Sequence, residues 1–326
     1  MNNPRILITG ATGFIGSHLT EYCVKKGFSV VAFDRYNTGN SWGWLENSEY
    51  RNDFEVVLGD IRDFDSVSRV MQGCVAVFHL AAVIGIPYSY ISPLAYIRTN
   101  IEGTYNVLES ARQYELEQVL VTSTSETYGT AQYVPMDENH PSVGQSPYSA
   151  TKIAADQLAI SYYRSFGLPV KIVRPFNTYG PRQSPRAVIP TVITQILSEA
   201  DSIKLGNLTP TRDLTFVEDT CSGFLEIFNS NKFHGEVTNI GMNKEISIGD
   251  LVSMISELMD ADIDIEGDSM RARPEASEVD RLRCDNQKLT NNTNWKPNHD
   301  IKTGLFETIK WFKSLDQKFK SDHYHV

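Results

Sequence analysis

The chain has 326 residues, 41% hydrophobic and 21% charged, proportions that fit a globular fold and exclude a disordered or fibrous one. Its formal net charge of −10 disfavours a protein that holds a nucleic-acid backbone by its overall field. Small anions stay open to it, because a few placed arginines and a helix N-terminus act locally.

The first predicted strand, residues 5–9, runs into Gly10-Ala11-Thr12-Gly13-Phe14-Ile15-Gly16 and then a helical pattern over 15–26. Glycines at these three places allow a tight turn, close backbone approach to a pyrophosphate, and close helix–strand packing. The spacing is GxxGxxG rather than GxGxxG, and the strand–glycine–helix–strand context makes it a dinucleotide fingerprint. A second strand, 29–33, leads to Asp34, eighteen positions beyond Gly16. A carboxylate there hydrogen-bonds ribose hydroxyls and repels a 2′-phosphate, which favours NAD over NADP. Arg35 beside it is a cation able to hold that phosphate. A third strand, 54–58, leads to Asp60 and Ile61, which border an adenine or cap the helical window 65–72.

The fourth strand, 75–80, carries Phe78-His79-Leu80-Ala81-Ala82. His79 reads as a packed, hydrogen-bonded histidine, and Tyr88, Ser89 and Tyr90 as loose candidates for lining a sugar pocket. A helical window at 100–114 precedes the fifth strand, 118–122, and the cluster Ser123-Thr124-Ser125-Glu126. Strand C-termini are where open α/β sheets place ligands. Hydroxyls beside a carboxylate there supply hydrogen bonds to an alcohol and an acid or base; a helix cap with Ser and Glu in a capping box is the structural alternative. Tyr148-Ser149-Ala150-Thr151-Lys152 opens the helical window 149–166, with Tyr148 and Lys152 on one face. A phenol near pH 10 must fall by roughly 2–3 pH units to act as a base at neutrality. A neighbouring ammonium and a positive nicotinamide both act in that direction.

The sixth strand, 170–174, completes an alternation of near-continuous apolar strands with helices. That pattern predicts an α/β fold, a doubly wound parallel sheet of Rossmann type. Beyond Pro175 the pattern loosens, with helical windows at 188–199, 248–259 and 303–315. The expected division is a dinucleotide-binding domain over 1–178, with 214–241 returning to it, and a smaller mixed α/β substrate-binding lobe over 179–326. The polar tail 316–326, with His323 and His325, is expected to be solvated. Cys23, Cys74, Cys221 and Cys284 stand far apart, so reduced thiols are expected, with no disulfide framework and no metal site. The longest apolar stretch, 74–87, is too short to span a bilayer, and no basic leader with an apolar core precedes the first strand. These features predict a cytoplasmic protein without a membrane partner.

The glycine fingerprint, Phe78-His79-Leu80-Ala81-Ala82, the Ser/Thr cluster, the Tyr148–Lys152 pair and Arg174-Pro175-Phe176-Asn177-Thr178-Tyr179-Gly180-Pro181-Arg182 together resemble the extended short-chain dehydrogenase/reductase superfamily. The resemblance covers essentially the whole chain and is nearest to the NAD-dependent nucleotide-sugar 4,6-dehydratases. Within these it is nearest to the branch acting on nucleotide-linked N-acetylglucosamine, UDP- or GDP-linked, on the way to legionaminic-type sugars.

The resemblance implies oxidation of the sugar at C4, loss of water across C5 and C6, and reduction at C6. It assigns catalysis to Thr124, Ser125, Glu126, Tyr148 and Lys152, with Tyr148 as base at the 4-hydroxyl and Glu126 as base at C5. It assigns NAD to Gly10, Thr12, Gly13, Phe14, Ile15, Gly16, Asp34, Asp60, Ile61, Leu80, Ala81, Ala82, Tyr148 and Lys152. It places the substrate's diphosphate on Asn177 and its phosphate or ribose on Arg212 and Arg273, with Arg182 and Arg186 as further candidates. It also implies a homodimer or larger assembly through helices 100–114 and 149–166. One departure stands out. Dehydratases of the thymidine-diphosphoglucose type carry Asp where this chain has Ser125, which is no comparable acid, whereas the GDP-mannose type resembles this chain in having Ser. The rival activities are a 4-epimerase, which needs no base at C5, and a UDP-glucuronate decarboxylase; a silent NAD-binding module is a fourth reading.

Overall fold

The computed structural model describes residues 3–268, 271 and 274–315. Six strands alternate with helices in the first half: β1 (Arg5–Thr9), β2 (Ser29–Arg35), β3 (Phe54–Gly59), β4 (Ala76–His79), β5 (Gln118–Thr122) and β6 (Val170–Pro175). Seven follow: β7 (Asn177–Tyr179), β8 (Ser202–Leu205), β9 (Thr211–Arg212), β10 (Leu214–Phe216), β11 (Val237–Ile240), β12 (Ile246–Ser247) and β13 (Asp264–Gly267). The helices are α1 (Phe14–Lys25), α2 (Phe64–Met71), α3 (Ile86–Ile91), α4 (Pro93–Tyr96), α5 (Gly103–Gln113), α6 (Pro147–Phe166), α7 (Val188–Leu197), α8 (Val217–Asn229), α9 (Ile248–Met259), α10 (Gln287–Asn292) and α11 (Ile301–Ser314).

The central sheet runs β11-β6-β5-β4-β1-β2-β3, and every neighbouring pair is parallel. Period-two alternation divides its side chains between two apolar layers. Ile6, Ile8, Ala32, Phe78 and Val173 face one way with Leu19 of α1 and Phe224 of α8. Leu7, Val31, Val77, Val119 and Ile172 face the other way with Val67 of α2, Val107 of α5 and Ala159 of α6. Strand order reverses at β1, between β4 and β2, which opens a crevice at the C-terminal ends of the strands. The remaining ladders, β7 with β10, β9 with β12 and β8 with β13, carry the more irregular second half.

The strand that closes the β6 edge, β11, comes from far along the chain, and Lys171 on β6 locks it to α8. The Lys171 ammonium is buried and donates to Ile227 O (2.9 Å), Phe228 O (3.1 Å) and Ser230 O (2.5 Å), carbonyls that the end of α8 leaves without helical partners. Lys171→Met, which keeps the stem and removes the donors, is expected to cost about 1–3 kcal/mol. A thermal melt within error of the parent would show that water satisfies those carbonyls equally well.

Two expectations from sequence are corrected here. Asp63, not Asp60, caps α2, its side chain accepting from Asp65 N; Asp60 instead chelates Arg62. The helix expected over 100–114 starts earlier, at Pro93, and contains a π-helical turn at Ile97–Glu102. Such a widened turn releases backbone carbonyls from the regular ladder, and Thr104 Oγ1 donates to the carbonyl of Asn100 at 2.7 Å. All four cysteines are buried free thiols. No helix among the described residues is long and apolar enough to cross a membrane.

Candidate active site

The glycine loop leaves β1 with Gly10 at φ +70°, a backbone conformation that favours glycine. A Cβ on Gly10 would come within 2.8 Å of Ala81 N, and one on Gly16 within 2.0 Å of Gly10 O. At Gly13 a Cβ would meet only Gly10 O, at 3.3 Å, so the space before α1 is kept clear by the missing side chain. Gly13 is also the N-cap of α1 and offers no side-chain cap, so the first-turn amides are directed at an open approach. Asp34 at the end of β2 closes over this loop, accepting from Thr12 N at 2.7 Å and from Arg35 N at 2.6 Å. These residues fit a dinucleotide: a clear path to a helix N-terminus, and a carboxylate placed where β2 ends. Beyond β3, a cavity of about 570 Å³ is lined by Asp60, Arg62, Asp63, Arg98 and Glu102. Ile61 is buried against Gly103.

Gly16→Ala is expected to lower stability by about 1–3 kcal/mol through overpacking and to weaken NAD binding by roughly tenfold or more, worth ~1.4 kcal/mol. Gly13→Ala should weaken NAD binding with little change in melting temperature. Calorimetric titration and thermal melts on both variants separate the two effects; equal behaviour would remove the distinction between packing glycine and approach glycine.

At β4 the chain turns over a hydrogen-bonded histidine. His79 is 2% exposed, with Nδ1 2.8 Å from Thr9 Oγ1 and Nε2 3.0 Å from Thr104 Oγ1. Thr104 already gives its proton to Asn100 O, so His79 donates from Nε2 and accepts at Nδ1. Burial, with Lys152 nearby, drives its pKa down to about 3, so the ring is neutral. Ala81 N donates to Thr9 Oγ1, which fixes the Leu80–Ala82 turn beside Gly10.

The 3₁₀ turn Ser125–Tyr128 follows β5. Thr124 caps it, its hydroxyl accepting from Glu126 N at 3.3 Å; the cap is thus a threonine and not the Ser–Glu capping box considered from sequence, and the Glu126 side chain is half-buried at the site. Ser125 is 1% exposed. Helix α6 begins with a capping box, Ser149 N donating to Ser146 Oγ and Ser146 N to Ser149 Oγ, and with Pro147 in its first turn. That start brings Tyr148 beside the Thr124 hydroxyl, within the field of Glu126. Tyr96 packs on Tyr148 with ring centroids 6.2 Å apart.

The electrostatics differ from the sequence expectation. Burial pushes the Tyr148 phenol well above the usual tyrosine range; the Thr124 hydroxyl pulls it back and Glu126 raises it further. Burial outweighs the lowering expected from Lys152, whose Nζ donates one hydrogen bond to the Thr122 carbonyl at 2.5 Å. Burial in turn lowers the Lys152 ammonium, with Asp156 opposing that shift.

Among the arginines expected on the diphosphate, two are already engaged. Arg212 is 7% exposed, donates from Nη1 to Val279 O at 2.7 Å and pairs with Glu278 at 3.2 Å. Arg182 pairs with Glu21 of α1 at 3.0 Å. Arg186 is exposed, Asn177 lies half-buried on β7, and Arg273 lies outside the described residues, as do His323 and His325. The turn after β4 holds Tyr88 and Tyr90 partly exposed on α3, with Tyr90 hydrogen-bonded to Ser277 Oγ at 2.6 Å, and Ser89 buried.

Asn100 has no counterpart in the sequence reading. Its side chain accepts from Val83 N at 2.9 Å and donates to Val83 O and Thr151 Oγ1, tying the turn after β4 to α6 next to Tyr148. A lone Asn in a helical window gives no sequence signal for that role.

The fold thus brings a Tyr–Lys pair, a Thr and a carboxylate together beyond the C-terminal end of β5. Residues 7–308 match the GDP-mannose 4,6 dehydratase family, and the chain belongs to it. A UDP-N-acetyl-alpha-D-glucosaminuronate decarboxylase of Bacillus cytotoxicus is 32% identical over 96% of this chain and 98% of its own length. The dTDP-glucose 4,6-dehydratase of Streptomyces venezuelae, solved with NAD bound, superposes with a TM-score of 0.88 at 27% identity, covering 95% of this chain and 97% of that one. The UDP-N-acetylglucosamine 4-epimerase of Methanobrevibacter ruminantium M1 gives 0.86 at 28%, covering 96% and 99%. The relatives thus divide among dehydratase, epimerase and decarboxylase.

Proposed function

We propose that the protein is an NAD-dependent nucleotide-sugar 4,6-dehydratase acting on UDP- or GDP-linked N-acetylglucosamine, in a route to legionaminic-type sugars. The observation that carries this reading is Glu126, a half-buried carboxylate two residues from Thr124 and within the field of Tyr148. NAD, when bound to the Gly10–Gly16 loop and Asp34, supplies the oxidation at C4 and its reversal at C6. Tyr148, hydrogen-bonded by Thr124, takes the 4-hydroxyl proton, and Lys152 places a positive charge beside the phenolate. Glu126 then takes the proton that the 4-ketone has made acidic at C5. Buried Ser125 has no ionisable proton to give, so protonated Glu126 passes the C5 proton to the departing 6-hydroxyl, which leaves as water; Glu126, reprotonated from solvent, then returns a proton to C5 as C6 is reduced, while Tyr148 releases the 4-hydroxyl proton to solvent. Asn177 and Arg186 are the polar groups we assign to the diphosphate, with Arg212 joining once Glu278 releases it.

A 4-epimerase is the second reading, supported by the likeness to the epimerase above. Mass spectrometry with NAD and a panel of UDP-, GDP- and dTDP-linked hexoses separates them. Loss of one water establishes the dehydratase, an unchanged mass with altered chromatography the epimerase, and loss of carbon dioxide from a glucuronate the decarboxylase. The exposed Ile97, Tyr105, Tyr163 and Phe166 on the π turn, α5 and α6 support our assignment of a homodimer through these elements, which sedimentation tests.

A further inference from the structure

Beneath Tyr148 and Lys152 lies a charged cluster that the proposed chemistry leaves unused. Asp156 on α6 is 2% exposed, and its Oδ2 accepts from Ser123 Oγ at 2.6 Å and from Arg174 Nη2 at 2.7 Å. Arg174 on β6 also donates from Nε to Ser123 Oγ at 3.2 Å and lies 4.4 Å from the Tyr128 ring centroid. Asp156 Oδ1 is buried with no hydrogen-bond partner among the described residues. The residue gripped by this pair, Ser123, stands between two residues the catalytic groups use. Thr122 on one side offers its carbonyl to Lys152, and Thr124 on the other meets Tyr148.

Buried ion pairs gain little over apolar side chains of the same volume, and a buried carboxylate oxygen without a partner is a cost. Both are kept here one helical turn from Lys152. Tyr148 and Asp156 lie one turn either side of Lys152 on its own helix, neutral His79 comes from β4, Arg174 from β6 stands behind Asp156, and Glu126 faces Tyr148. Among the described residues, Asp156 is thus the carboxylate that opposes discharge of the Lys152 ammonium by burial.

We propose that Asp156 is a positioning residue for the catalytic centre: it clamps the end of β5 to α6 through Ser123 and Arg174 and sets a buried carboxylate one helical turn from Lys152. This rests on the reading that Tyr148 and Lys152 act on a nucleotide sugar. The parent enzyme is therefore assayed first, and failure to convert any sugar of the panel would count against that reading, not against the clamp alone.

The test is the pH dependence of kcat for Asp156→Asn and Ser123→Ala. Asp156→Asn keeps the shape and removes the charge, so Lys152 loses its proton earlier and the alkaline limb should move to lower pH. KM for the sugar should change little. Ser123→Ala keeps the charge and breaks the grip on β5, so kcat should fall severalfold with the alkaline limb in place. An Asp156→Asn profile superimposable on the parent would overturn the role of the charge, and parent-like kcat in Ser123→Ala would overturn the clamp. If Asp156→Asn does not fold, Ser123→Ala decides the clamp, and the Lys152 pKa measured by NMR in the parent decides the charge: discharge near neutrality would overturn it.

Discussion

Tyr148→Phe is expected to lower turnover by roughly 10²–10⁴-fold while leaving the fold, NAD binding and the Thr124 turn in place. The variant keeps the ring that packs on Tyr96 and removes one oxygen. The magnitude follows from what that oxygen does in the proposed chemistry: Glu126 is reserved for C5, and His79, with its pKa driven down by burial and both ring nitrogens engaged by Thr9 and Thr104, is no base for the 4-hydroxyl proton. A merely severalfold loss would mean that the proton leaves by another path and the proposed mechanism is wrong.

The same phenol sets the pH dependence. Its pKa in the folded protein is raised, chiefly by burial, so the protonated form dominates at neutrality and the reactive phenolate grows as pH increases. The Lys152 pKa is lowered by burial, so at higher pH the ammonium that stabilises the phenolate is lost. The parent kcat should therefore rise with pH, pass a maximum and fall. Bound NAD⁺ carries a positive charge that favours phenolate, and reciprocity requires that NAD⁺ bind more tightly as pH rises towards the phenol's pKa. Tyr148→Phe should flatten that dependence, which titrations at several pH values would reveal.

How much of this was legible in the sequence depends on whether the determinant is local. The strands β1 and β5 fall on the residues their apolar runs mark, and α9 spans the residues its periodicity marks, because burial pattern and backbone period coincide there. Gly10 and Gly16 were legible because only glycine tolerates such close approaches. The π turn was not, since no residue type announces a shift of helical register and its consequence, Asn100 reaching Val83, is a tertiary contact. The arginines show the same limit. Sequence supplied the positive charge of Arg182 and Arg212, but not Glu21 and Glu278, which lie far away in the chain and neutralise them. Likewise the spacing of Tyr148 and Lys152 put both on one helix face but could not reveal that Lys152 is also anchored to the Thr122 carbonyl. Motif spacing identifies which groups meet; the surrounding burial decides their protonation.

Glu126→Gln should separate the two halves of the reaction. The amide is nearly isosteric, so the turn capped by Thr124 remains, and C4 oxidation, which needs Tyr148, Thr124 and Lys152, continues in part. Gln cannot accept the C5 proton, so elimination stops, and the expected loss of dehydrated product is roughly 10²–10⁴-fold. In deuterium oxide the parent should return product carrying solvent deuterium at C5, because Glu126, having passed the original C5 proton to the departing water, is reprotonated from solvent before it returns a proton to C5. The variant should instead hold a 4-keto hexose of undiminished oxygen content, trapped by borodeuteride reduction and weighed by mass spectrometry. Removing the negative charge also relieves one of the influences that raise the Tyr148 phenol, so the rising limb of C4 oxidation should move to lower pH even as dehydration is lost. A structural capping role for Glu126 predicts neither change: dehydration would continue at the parent rate, and the carboxylate would be no more than the second residue of a capped turn.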